Sequence, residues 1–415
     1  MKIKVLHVVG GSFNDGAYKG ANILHKALLD LNIDSKLLND NPPLNNPNDT
    51  ENHDETIIYI NSSFFKKLIN NIYIILEKVL KSIYLPNPRS TFTLGFFGFD
   101  ITKIKEYKNA DIIHVHWLNQ GFIKLKSLSK INKPVVWTMR DMWPFTGGSH
   151  YNMDFKKYES GRLSKIIQNF KKNNYNKNFQ FIAISDWLKS EAEKSYVLNE
   201  HSIKRIYNNI NTKDFKVIDQ GEARSNLNIS TKKQVILYGA QNPQSKRKGW
   251  DIFVETLKKI DKSKYFLLIF GKFWSQKTLE DIGIEYKNLG FIDDKKKLNT
   301  AYSSADFFVT SSIQEAFGKT WAEAMACETP IVCFENTPAS EILDHKINGY
   351  IVKNFNSMEL LNGINWMSAK IKNKEYKRVG ARNKIMEFDA KIIAQKYINL
   401  YENTLKMHIK KKSNF

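Results

Sequence analysis

Short apolar runs rich in β-branched residues recur along the whole chain of 415 residues, and amphipathic stretches separate them. Parallel strands need long crossover connections, which are usually helices, so this alternation is typical of parallel sheets covered by helices. The chain is therefore predicted to have an α/β fold. Ten runs are predicted as strands: Val5–Val9, Ile57–Ile60, Ile112–Trp117, Pro134–Met139, Phe181–Ser185, Gln234–Gly239, Tyr265–Phe270, Asp306–Thr310, Pro330–Phe334 and Tyr350–Val352.

A polar stretch between Asn208 and Lys233 divides these strands into two series. Each half then has about 200 residues, which suits one doubly wound domain. We place the N-terminal domain at 1–210 and the C-terminal domain at 216–388. One predicted helix in the first half carries its apolar residues on a single face: Ile23, Leu24, Ala27, Leu28 and Leu31.

The chain is strongly basic, with 63 Lys and Arg against 42 Asp and Glu and a formal net charge of +21. Such an excess suits an anionic partner: nucleic acid, a membrane surface or a phosphorylated substrate. Only 8 of the basic residues are Arg, the residue that reads bases with bidentate contacts, so we expect no nucleic-acid partner. The charge is spread over both halves, which suits diffuse attraction to anionic lipids or a compositional bias of the source.

Cysteine usage and hydropathy indicate the compartment. Cys327 and Cys333 are the two cysteines, which argues for a reducing compartment and against a disulfide scaffold. No stretch approaches the roughly 18 uninterrupted apolar residues of a transmembrane helix. The first apolar run leads directly into glycines, which predicts a strand and not a signal peptide. We therefore expect a cytoplasmic protein, with peripheral binding to the inner face of the cytoplasmic membrane left open.

The segment 62–89 combines a wide apolar helical face with lysines at its margins, namely Lys66, Lys67, Lys78 and Lys81. This pattern suits a helix that lies in an anionic membrane surface. It also suits a buried helix whose lysines reach solvent along their aliphatic stems. The sequence leaves both interpretations open.

The residues that follow the predicted strand Asp306–Thr310 carry the strongest chemical pattern in the chain. There a loop leads into a helix-forming run. Ligands of open α/β sheets bind where strand ends meet helix N-termini. Free N–H groups near Gly318 and Thr320, with the helix dipole and Lys319, would suit a diphosphate.

Two glutamates flank this predicted diphosphate site. Glu315 lies in the loop, and Glu323 lies about one turn inside the helix. Carboxylates accept hydrogen bonds from the vicinal hydroxyls of sugars, so the pair suits a nucleotide sugar. A capping box formed by Thr320 and Glu323 would account for Glu323 equally well.

Two further glycine loops follow predicted strands. Gly239 ends one strand, and Arg247 and Lys248 precede the next helix, where basic groups can neutralise a diphosphate leaving group; a solvated loop has the same pattern. The loop Gly10–Gly20 lacks the G-x-G-x-x-G spacing of a dinucleotide site. We expect it to be a flexible loop that approaches a substrate.

His114 and His116 end a predicted strand and point to the same face, because side chains alternate along a strand. No further Cys or His cluster completes a metal site, so we expect no metal. Partial burial with local hydrogen bonds is the alternative to a functional role for these histidines. After the next strand, the run from Trp137 to Gly148 is aromatic and charged, as carbohydrate-binding clefts often are.

The block from Glu315 to Glu323 resembles the donor-site signature of retaining GT-B glycosyltransferases of family 4. Trp137–Gly148, with the preceding His116-Trp117, resembles a subgroup that acts in bacterial exopolysaccharide, colanic-acid-type, capsule or lipopolysaccharide biosynthesis. Other motifs in the order of that family are Arg247–Gly249, Asn288–Phe291, Ser340–Ile342 and Asn348–Tyr350.

The resemblance implies a GT-B fold, with two Rossmann-like doubly wound domains facing each other across a cleft. The C-terminal domain would hold the nucleotide-sugar donor, the N-terminal domain would hold the acceptor, and a helix within 390–415 would pack back on the N-terminal domain. The implied donor-binding residues are Gly20, Gly239, Arg247, Lys248, Glu315, Phe317, Gly318, Lys319, Thr320 and Glu323. The implied acceptor-binding residues are Gly11, Trp117, Asp141 and Trp143. The implied catalytic residues are His116, Lys248 and Glu315.

The chain departs from the family pattern at two positions. Ala240 stands where a basic residue commonly follows the glycine of the Gly239 loop, which leaves more of the diphosphate to Lys248. Arg140 stands where the subgroup often has histidine, so the resemblance implies no role for it.

The expected activity is transfer of a hexose or N-acetylhexosamine from a nucleotide sugar to a saccharide or a polyprenyl- or lipid-linked acceptor, with retention. UDP-sugars are the commonest donors, and GDP-sugars remain open. We expect no metal and no cofactor, because Lys248 and helix amides can replace the cation. The alternatives are a GT-B nucleotide-sugar 2-epimerase and a non-catalytic basic protein that binds membranes or nucleic acid.

Overall fold

The structure is a computed structural model that describes residues 2–40, 54–61, 63–85, 91–156, 158–275, 277–376 and 379–413. The chain forms two compact units. The N-terminal unit consists of Met1–Asn209 and Ala390–Phe415, and the second unit consists of Ile210–Asp389. The end of the chain therefore belongs to the same unit as its beginning.

Each unit contains one set of strands. The N-terminal unit contains β1 (Lys4–Val9), β2 (Asp34–Asn39), β3 (Ile57–Tyr59), β4 (Ile112–Trp117), β5 (Val135–Met139), β6 (Gln180–Ala183) and β7 (Ile203–Arg205). The second unit contains β8 (Gln234–Gly239), β9 (Tyr265–Phe270), β10 (Tyr286–Asn288), β11 (Phe307–Thr310), β12 (Ile331–Phe334) and β13 (Gly349–Val352). All ten predicted strands are confirmed, whereas β2, β7 and β10 were not predicted.

The helices connect the strands and cover the sheets. They are α1 (Gly16–Asp30), α2 (Phe64–Tyr84), α3 (Lys105–Asn109), α4 (Arg162–Asn174), α5 (Asp186–Glu193), α6 (Gln220–Asn226), α7 (Trp250–Lys259), α8 (Lys277–Ile282), α9 (Lys295–Ser304), α10 (Lys319–Ala326), α11 (Ser357–Lys372), α12 (Val379–Met386) and α13 (Ala390–Ser413). Among the described residues, no helix has both the length and the apolar character needed to cross a membrane.

Both sheets are parallel and doubly wound. The strand order is β3-β2-β1-β4-β5-β6-β7 in the N-terminal unit and β10-β9-β8-β11-β12-β13 in the second unit. In each sheet, the first strands along the chain add to one side of β1 or β8. The chain then crosses back, and the later strands add to the other side. This topology confirms the predicted α/β class. It also places the expected ligand crevices at the carboxyl ends of β1 and β4 and of β8 and β11, where the strand order reverses.

Helix α13 packs against helix α1 in the N-terminal unit. Tyr397 and Tyr401 of α13 share an apolar cluster with Leu24 and Leu28 of α1, and all four are almost fully buried. The hydroxyl of Tyr401 also forms a hydrogen bond of 2.6 Å with Nδ1 of His114 on β4. The last helix thus completes the core of the unit that the start of the chain forms.

Helix α2 turns two polar side chains inward and most of its large apolar side chains outward. Asn70 and Glu77 are buried, and the Glu77 carboxylate accepts a hydrogen bond of 2.7 Å from the backbone N–H of Leu94. The interpretation of this segment as a buried helix is therefore wrong for its described residues; residues 62 and 86–89 lie outside them. The large apolar residues at least 40% exposed on α2 are Phe64, Phe65, Leu68, Ile69, Ile72, Ile75, Leu76, Val79 and Ile83.

Candidate functional site

In the second unit, a glycine holds the loop after β8 against the end of β11. Lys246–Lys248 forms a single 3-10 turn, and Gly249 follows it with a φ of 65°. A Cβ atom on Gly249 would lie 1.9 Å from the carbonyl oxygen of Ser311, so only glycine permits this approach. The carbonyl of Arg247 accepts hydrogen bonds from two backbone N–H groups of the facing loop. The basic turn is thereby fixed beside Glu315.

Glu315 is the centre of a partly buried cluster of charges. Its carboxylate accepts hydrogen bonds from the ammonium group of Lys248 and from Nη1 of Arg247, the latter at 3.3 Å. Burial raises the pKa of Glu315, but the two cations outweigh burial and hold that pKa below its ordinary value. Burial lowers the pKa of Lys248, and the charge of Glu315 opposes this shift. A diphosphate bound at the two cations would have to compete with Glu315.

A depression of about 260 Å³ lies where the loop after β11 meets helix α10. The helix begins at Lys319, directly after Gly318, which has a φ of 90°. The backbone N–H groups of a first helical turn lack partners within the helix and can serve an anion. The lining residues are Lys248, Glu315, Phe317, Gly318 and Thr320, all predicted from the sequence, with Thr310, Ser312, Trp321, Thr337, Pro338 and Ala339.

Glu323 lies one turn further along α10 and does not line the depression. The capping-box interpretation is wrong, because the helix is preceded by Gly318 and Thr320 is already its second residue. Instead, the carboxylate of Glu323 accepts a hydrogen bond of 2.8 Å from the hydroxyl of Tyr302. Glu323 is thus fixed by a tyrosine on the neighbouring helix α9.

The other predicted donor residues of the second unit, Gly239, Arg247 and Lys319, do not line the depression. Gly239 ends β8, and a Cβ atom there would lie 2.3 Å from the ring of Phe270, so close packing requires this glycine. Arg247 reaches Glu315 from the turn, and Lys319 opens helix α10. The structure therefore groups the residues of two separate sequence motifs.

In the N-terminal unit, the loop after β1 is shorter than predicted. The N–H of Gly10 donates to the carbonyl of Trp117 at 2.8 Å, and the N–H of Gly11 donates to Asp40 at 3.1 Å. Helix α1 begins before Gly20, which is a buried helical residue and not part of a flexible loop. The run Ala-Tyr-Lys that precedes Gly20 contains good helix formers, and this extends the helix toward β1.

His116 lies at the carboxyl end of β4, but its ring is buried. Its Nδ1 accepts hydrogen bonds from Nε and Nη2 of Arg140, at 3.3 and 3.1 Å. Its Nε2 is 2.9 Å from Nδ1 of His7. Burial, followed by the charges of neighbouring basic groups, lowers the pKa of His116 well below its usual value, so the ring is neutral. Contact between this ring and a substrate would require it to give up one of these hydrogen bonds.

Three buried histidines, His7, His114 and His116, have ring nitrogens within 4.8 Å of one another. The geometry resembles a metal-binding cluster, and the sequence did not single out His7. However, both ring nitrogens of His114 bond hydroxyl groups, at 2.6 and 2.8 Å, and the guanidinium of Arg140 contacts His116. A metal ion would have to break these bonds and lie beside a positive charge, so the contacts favour a hydrogen-bonded network.

Asp141 forms hydrogen bonds with two other predicted acceptor residues, Trp117 and Trp143. Its carboxylate accepts hydrogen bonds from Nε1 of Trp117 at 3.2 Å, from the backbone N–H of Trp143 at 2.9 Å and from Nδ1 of His150 at 2.7 Å. The ring of Trp143 is only 1% exposed and donates to the carbonyl of Thr93. The structure thus gives Trp143 a packing role in place of the predicted contact with the acceptor, whereas Trp117 is partly exposed.

Two family models match this chain. The model of the glycosyl transferases group 1 matches residues 219–385, which include the Glu315 cluster and the whole depression. The model of Glycosyltransferase Family 4 matches residues 52–214. The chain belongs to the family 4 glycosyltransferases.

Relatives of this glycosyltransferase match both of its units. An uncharacterised glycosyltransferase of Methanocaldococcus jannaschii is 28% identical over 76% of this chain and 78% of its own length. The N,N'-diacetylbacillosaminyl-diphospho-undecaprenol alpha-1,3-N-acetylgalactosaminyltransferase of Campylobacter jejuni is 25% identical over 60% of this chain and 67% of its own. The structure of sucrose-phosphate synthase from Thermosynechococcus elongatus is similar with a TM-score of 0.71 at 17% identity, covering 98% of this chain and 100% of that one. The predicted GT-B fold with two Rossmann-like domains is confirmed.

Sequence reasoning did not select two residues of this glycosyltransferase, His7 and Arg140, that the structure brings into contact with His116. His7 is an isolated polar residue in the apolar strand β1, which was the available signal. Arg140 follows β5 and reaches across to His116 and to Asn208, which accepts a hydrogen bond of 2.6 Å from Nη1. The contact between His7 and His116 and that between Arg140 and Asn208 each join segments that are distant in sequence.

Proposed function

We propose that this glycosyltransferase transfers a hexose or an N-acetylhexosamine from a nucleotide sugar to a saccharide or lipid-linked saccharide, with retention, in the synthesis of a surface polysaccharide. One observation supports the donor assignment most strongly: Lys248, Arg247 and Glu315 lie together beside the first turn of α10. The name of the Campylobacter jejuni relative, a transferase whose acceptor is a sugar on diphospho-undecaprenol, supports the lipid-linked acceptor. Capsule, exopolysaccharide and lipopolysaccharide are the product classes we propose.

In this proposal the enzyme stabilises the leaving nucleoside diphosphate while its negative charge grows. Lys248 and Arg247 exchange the Glu315 carboxylate for the diphosphate, and the N–H groups of Gly318 to Thr320 add hydrogen bonds that the helix dipole favours. The released Glu315 carboxylate accepts hydrogen bonds from hydroxyls of the donor sugar. Because these groups supply the positive charge, the proposed reaction needs no metal ion and no cofactor.

Substitution of the cluster tests this function. We expect Lys248→Ala and Glu315→Ala each to lower turnover of a nucleotide sugar by roughly 10²-fold or more, because each removes a group that acts on the developing charge or on the sugar. The matched control is Lys258→Ala, which removes an exposed lysine of α7 that pairs with Glu255 and is expected to leave turnover unchanged. Wild-type turnover in both cluster variants would contradict the proposed site.

A thermal-shift panel of UDP-, GDP- and ADP-sugars identifies the donor, because a ligand that binds only the folded state raises Tm. We propose UDP-sugars as the donors, and Lys248→Ala should remove the shift. Conversion of a labelled UDP-sugar into its epimer in the absence of any acceptor would instead establish a 2-epimerase.

We also propose that the enzyme is cytoplasmic and works at an anionic membrane surface through α2. The exposed apolar face of this helix carries Lys66, Lys67 and Lys78 at its margins. Glu77, the single acidic residue in the sequence of α2, is buried on the opposite face. An apolar face bordered by lysines is what an anionic bilayer attracts, and a lipid-linked acceptor would lie in the same surface.

A further inference from the structure

Arg140 is a buried arginine at the carboxyl edge of the N-terminal sheet. It directly follows β5 and is 9% exposed. Its Nη1 donates to Oδ1 of Asn208 at 2.6 Å, and its Nε and Nη2 donate to Nδ1 of His116 at 3.3 and 3.1 Å. Both partners are neutral acceptors, so neither balances the positive charge.

Among the described residues, no carboxylate forms an ion pair with Arg140. Other arginines of this chain do have one: Arg205 pairs with Asp186 at 2.8 Å, and Arg224 pairs with Asp306 at 2.7 Å. Buried charges are normally paired, because removal of an ion from water costs several kcal/mol. Burial lowers the pKa of Arg140 only to about 10, so the guanidinium remains charged at neutral pH.

The surroundings of Arg140 accommodate the charge without neutralising it. Gly20 of α1 lies against the guanidinium, and a Cβ atom on Gly20 would be 2.5 Å from Nη1. Burial keeps His116 neutral, so the ring accepts hydrogen bonds and does not add a second positive charge. Gly20 thus lets the guanidinium pack against helix α1, and the neutral ring of His116 leaves its positive charge unbalanced.

The guanidinium also retains hydrogen-bonding capacity. It has five N–H groups, and each of its three nitrogens donates one bond to His116 or Asn208. Two N–H groups therefore have no partner among the described residues. A guanidinium with two free N–H groups suits the oxygens of a phosphate, which accept charge-assisted hydrogen bonds.

We propose that Arg140 binds a phosphate or diphosphate group of the acceptor. The inference rests on the proposed function, in which the N-terminal unit holds the acceptor. It adds that this acceptor is phosphorylated, as a lipid-linked saccharide is. Trp117, which is partly exposed, and Gly11 lie at the neighbouring strand ends, where the sugar portion would meet the protein.

Inorganic pyrophosphate is the probe, and calorimetric titration of the full chain is the measurement. The double variant Arg247→Ala/Lys248→Ala removes the diphosphate site of the second unit, and we expect it to keep one pyrophosphate site. Addition of Arg140→Gln should weaken that binding at least tenfold, while the control Arg205→Gln should not. Acetate should not compete at the concentrations at which phosphate competes. Unchanged pyrophosphate affinity with Arg140→Gln overturns the proposal.

A second variant covers the case in which Arg140→Gln does not fold. Gly20→Ala keeps the charge and improves helix propensity, but its methyl group must displace the guanidinium. We expect it to lose pyrophosphate binding to the same extent, and retained affinity would overturn the proposal.

Nucleotide binding separates the possible sources of the phosphate. In the otherwise wild-type chain, Arg140→Gln should leave UDP affinity unchanged, whereas Lys248→Ala should abolish it. A tenfold loss of UDP affinity with Arg140→Gln would assign Arg140 to the donor and overturn the acceptor assignment. If the wild-type chain binds no nucleotide, the proposed function fails, and the pyrophosphate titration still decides whether Arg140 is a phosphate receptor.

Discussion

Two glycines of this glycosyltransferase position charged side chains, because a residue without a Cβ atom lets another segment of the chain approach its backbone closely. Gly249 brings the basic turn against Ser311, and Gly20 lets the guanidinium of Arg140 lie on helix α1. The charged residues of the basic turn directly precede Gly249, whereas Arg140 lies on a different segment from Gly20. A substitution at either glycine therefore displaces a charged side chain without altering that side chain itself.

Gly249→Ala should move the basic turn away from Glu315. The new Cβ atom meets a backbone carbonyl at 1.9 Å, and the φ of 65° adds strain. We expect a loss of about 3 kcal/mol or more in the free energy of unfolding, together with a loss of nucleotide-sugar binding. Urea unfolding and thermal shift with the nucleotide sugar measure the two effects.

The matched control is Gly283→Ala, where φ is 69° and no atom lies within 4 Å of the added Cβ. It should cost only the roughly 1–2 kcal/mol of the left-handed conformation and leave binding intact. Equal effects of the two substitutions on binding would show that the Ser311 contact does not position the turn.

The predictability of the site residues follows their spacing along the chain. The lining residues from Glu315 to Thr320 are nearly contiguous, so a local motif reveals them. The contact between His7 and His116 spans 109 residues, and that between Arg140 and Asn208 spans 68. No local sequence pattern predicts these two contacts, because only the fold brings the residues of each pair together.

At the scale of secondary-structure elements, helix α2 shows what amphipathic periodicity can establish. The pattern shows that a helix has an apolar face, but it does not show whether that face meets the protein or another surface. In α2 the polar Asn70 and Glu77 face the protein, and this orientation became known only from the structure. Strands β7 and β10 were missed for a related reason: both are short edge strands, Ile-Lys-Arg and Tyr-Lys-Asn, without an apolar run.

Binding to vesicles tests the proposed role of α2. The protein should sediment with vesicles that contain phosphatidylglycerol, and Phe64→Ser/Phe65→Ser should weaken binding about tenfold or more by removing two side chains that are 76% and 74% exposed. Lys66→Glu/Lys67→Glu should weaken binding by a similar factor at low salt only.

Ile347→Ser serves as the control for the vesicle experiment. This residue of the second unit is 70% exposed, so the substitution removes a comparable apolar side chain elsewhere. It should leave sedimentation unchanged. Wild-type binding in the Phe64/Phe65 double variant would exclude α2 as the docking element, whatever the lysines do.

At the scale of the whole molecule, a chain of net charge +21 keeps four buried histidines neutral. Burial, followed by nearby positive charges, lowers the pKa of His7, His114 and His116 well below 6.5. Burial also lowers the pKa of His25 to about 4. The unfolded chain takes up protons at these histidines as the pH falls through about 6.5, whereas the folded chain does not.

Stability should therefore fall as the pH drops from about 6.5 toward 4. Each histidine contributes about 1.4 kcal/mol between pH 7.5 and 5.5, because the slope of at most about 1.4 kcal/mol per pH unit is reached only below about pH 6.5. The four histidines together should therefore lower the free energy of unfolding by about 5 kcal/mol over this interval. Urea unfolding at the two pH values measures it. The depressed pKa of Asp261, about 2, acts at much lower pH and does not obscure this window. Equal stability at pH 7.5 and 5.5 would mean that these rings accept protons in the folded state.

Helix α13 is synthesised after the second unit but belongs to the unit whose sheet is synthesised before it. While the ribosome is still translating, residues 210–389 become complete before the partners of Leu24, Leu28 and His114 exist. Domains generally fold as units, and the N-terminal one usually folds first during synthesis. Here the order is reversed: the second unit can reach its native state on the ribosome, whereas the first keeps an unfinished core until Tyr397 and Tyr401 leave the exit tunnel. During that interval the uncovered apolar surface of the N-terminal half is the part of the nascent chain most in need of a chaperone.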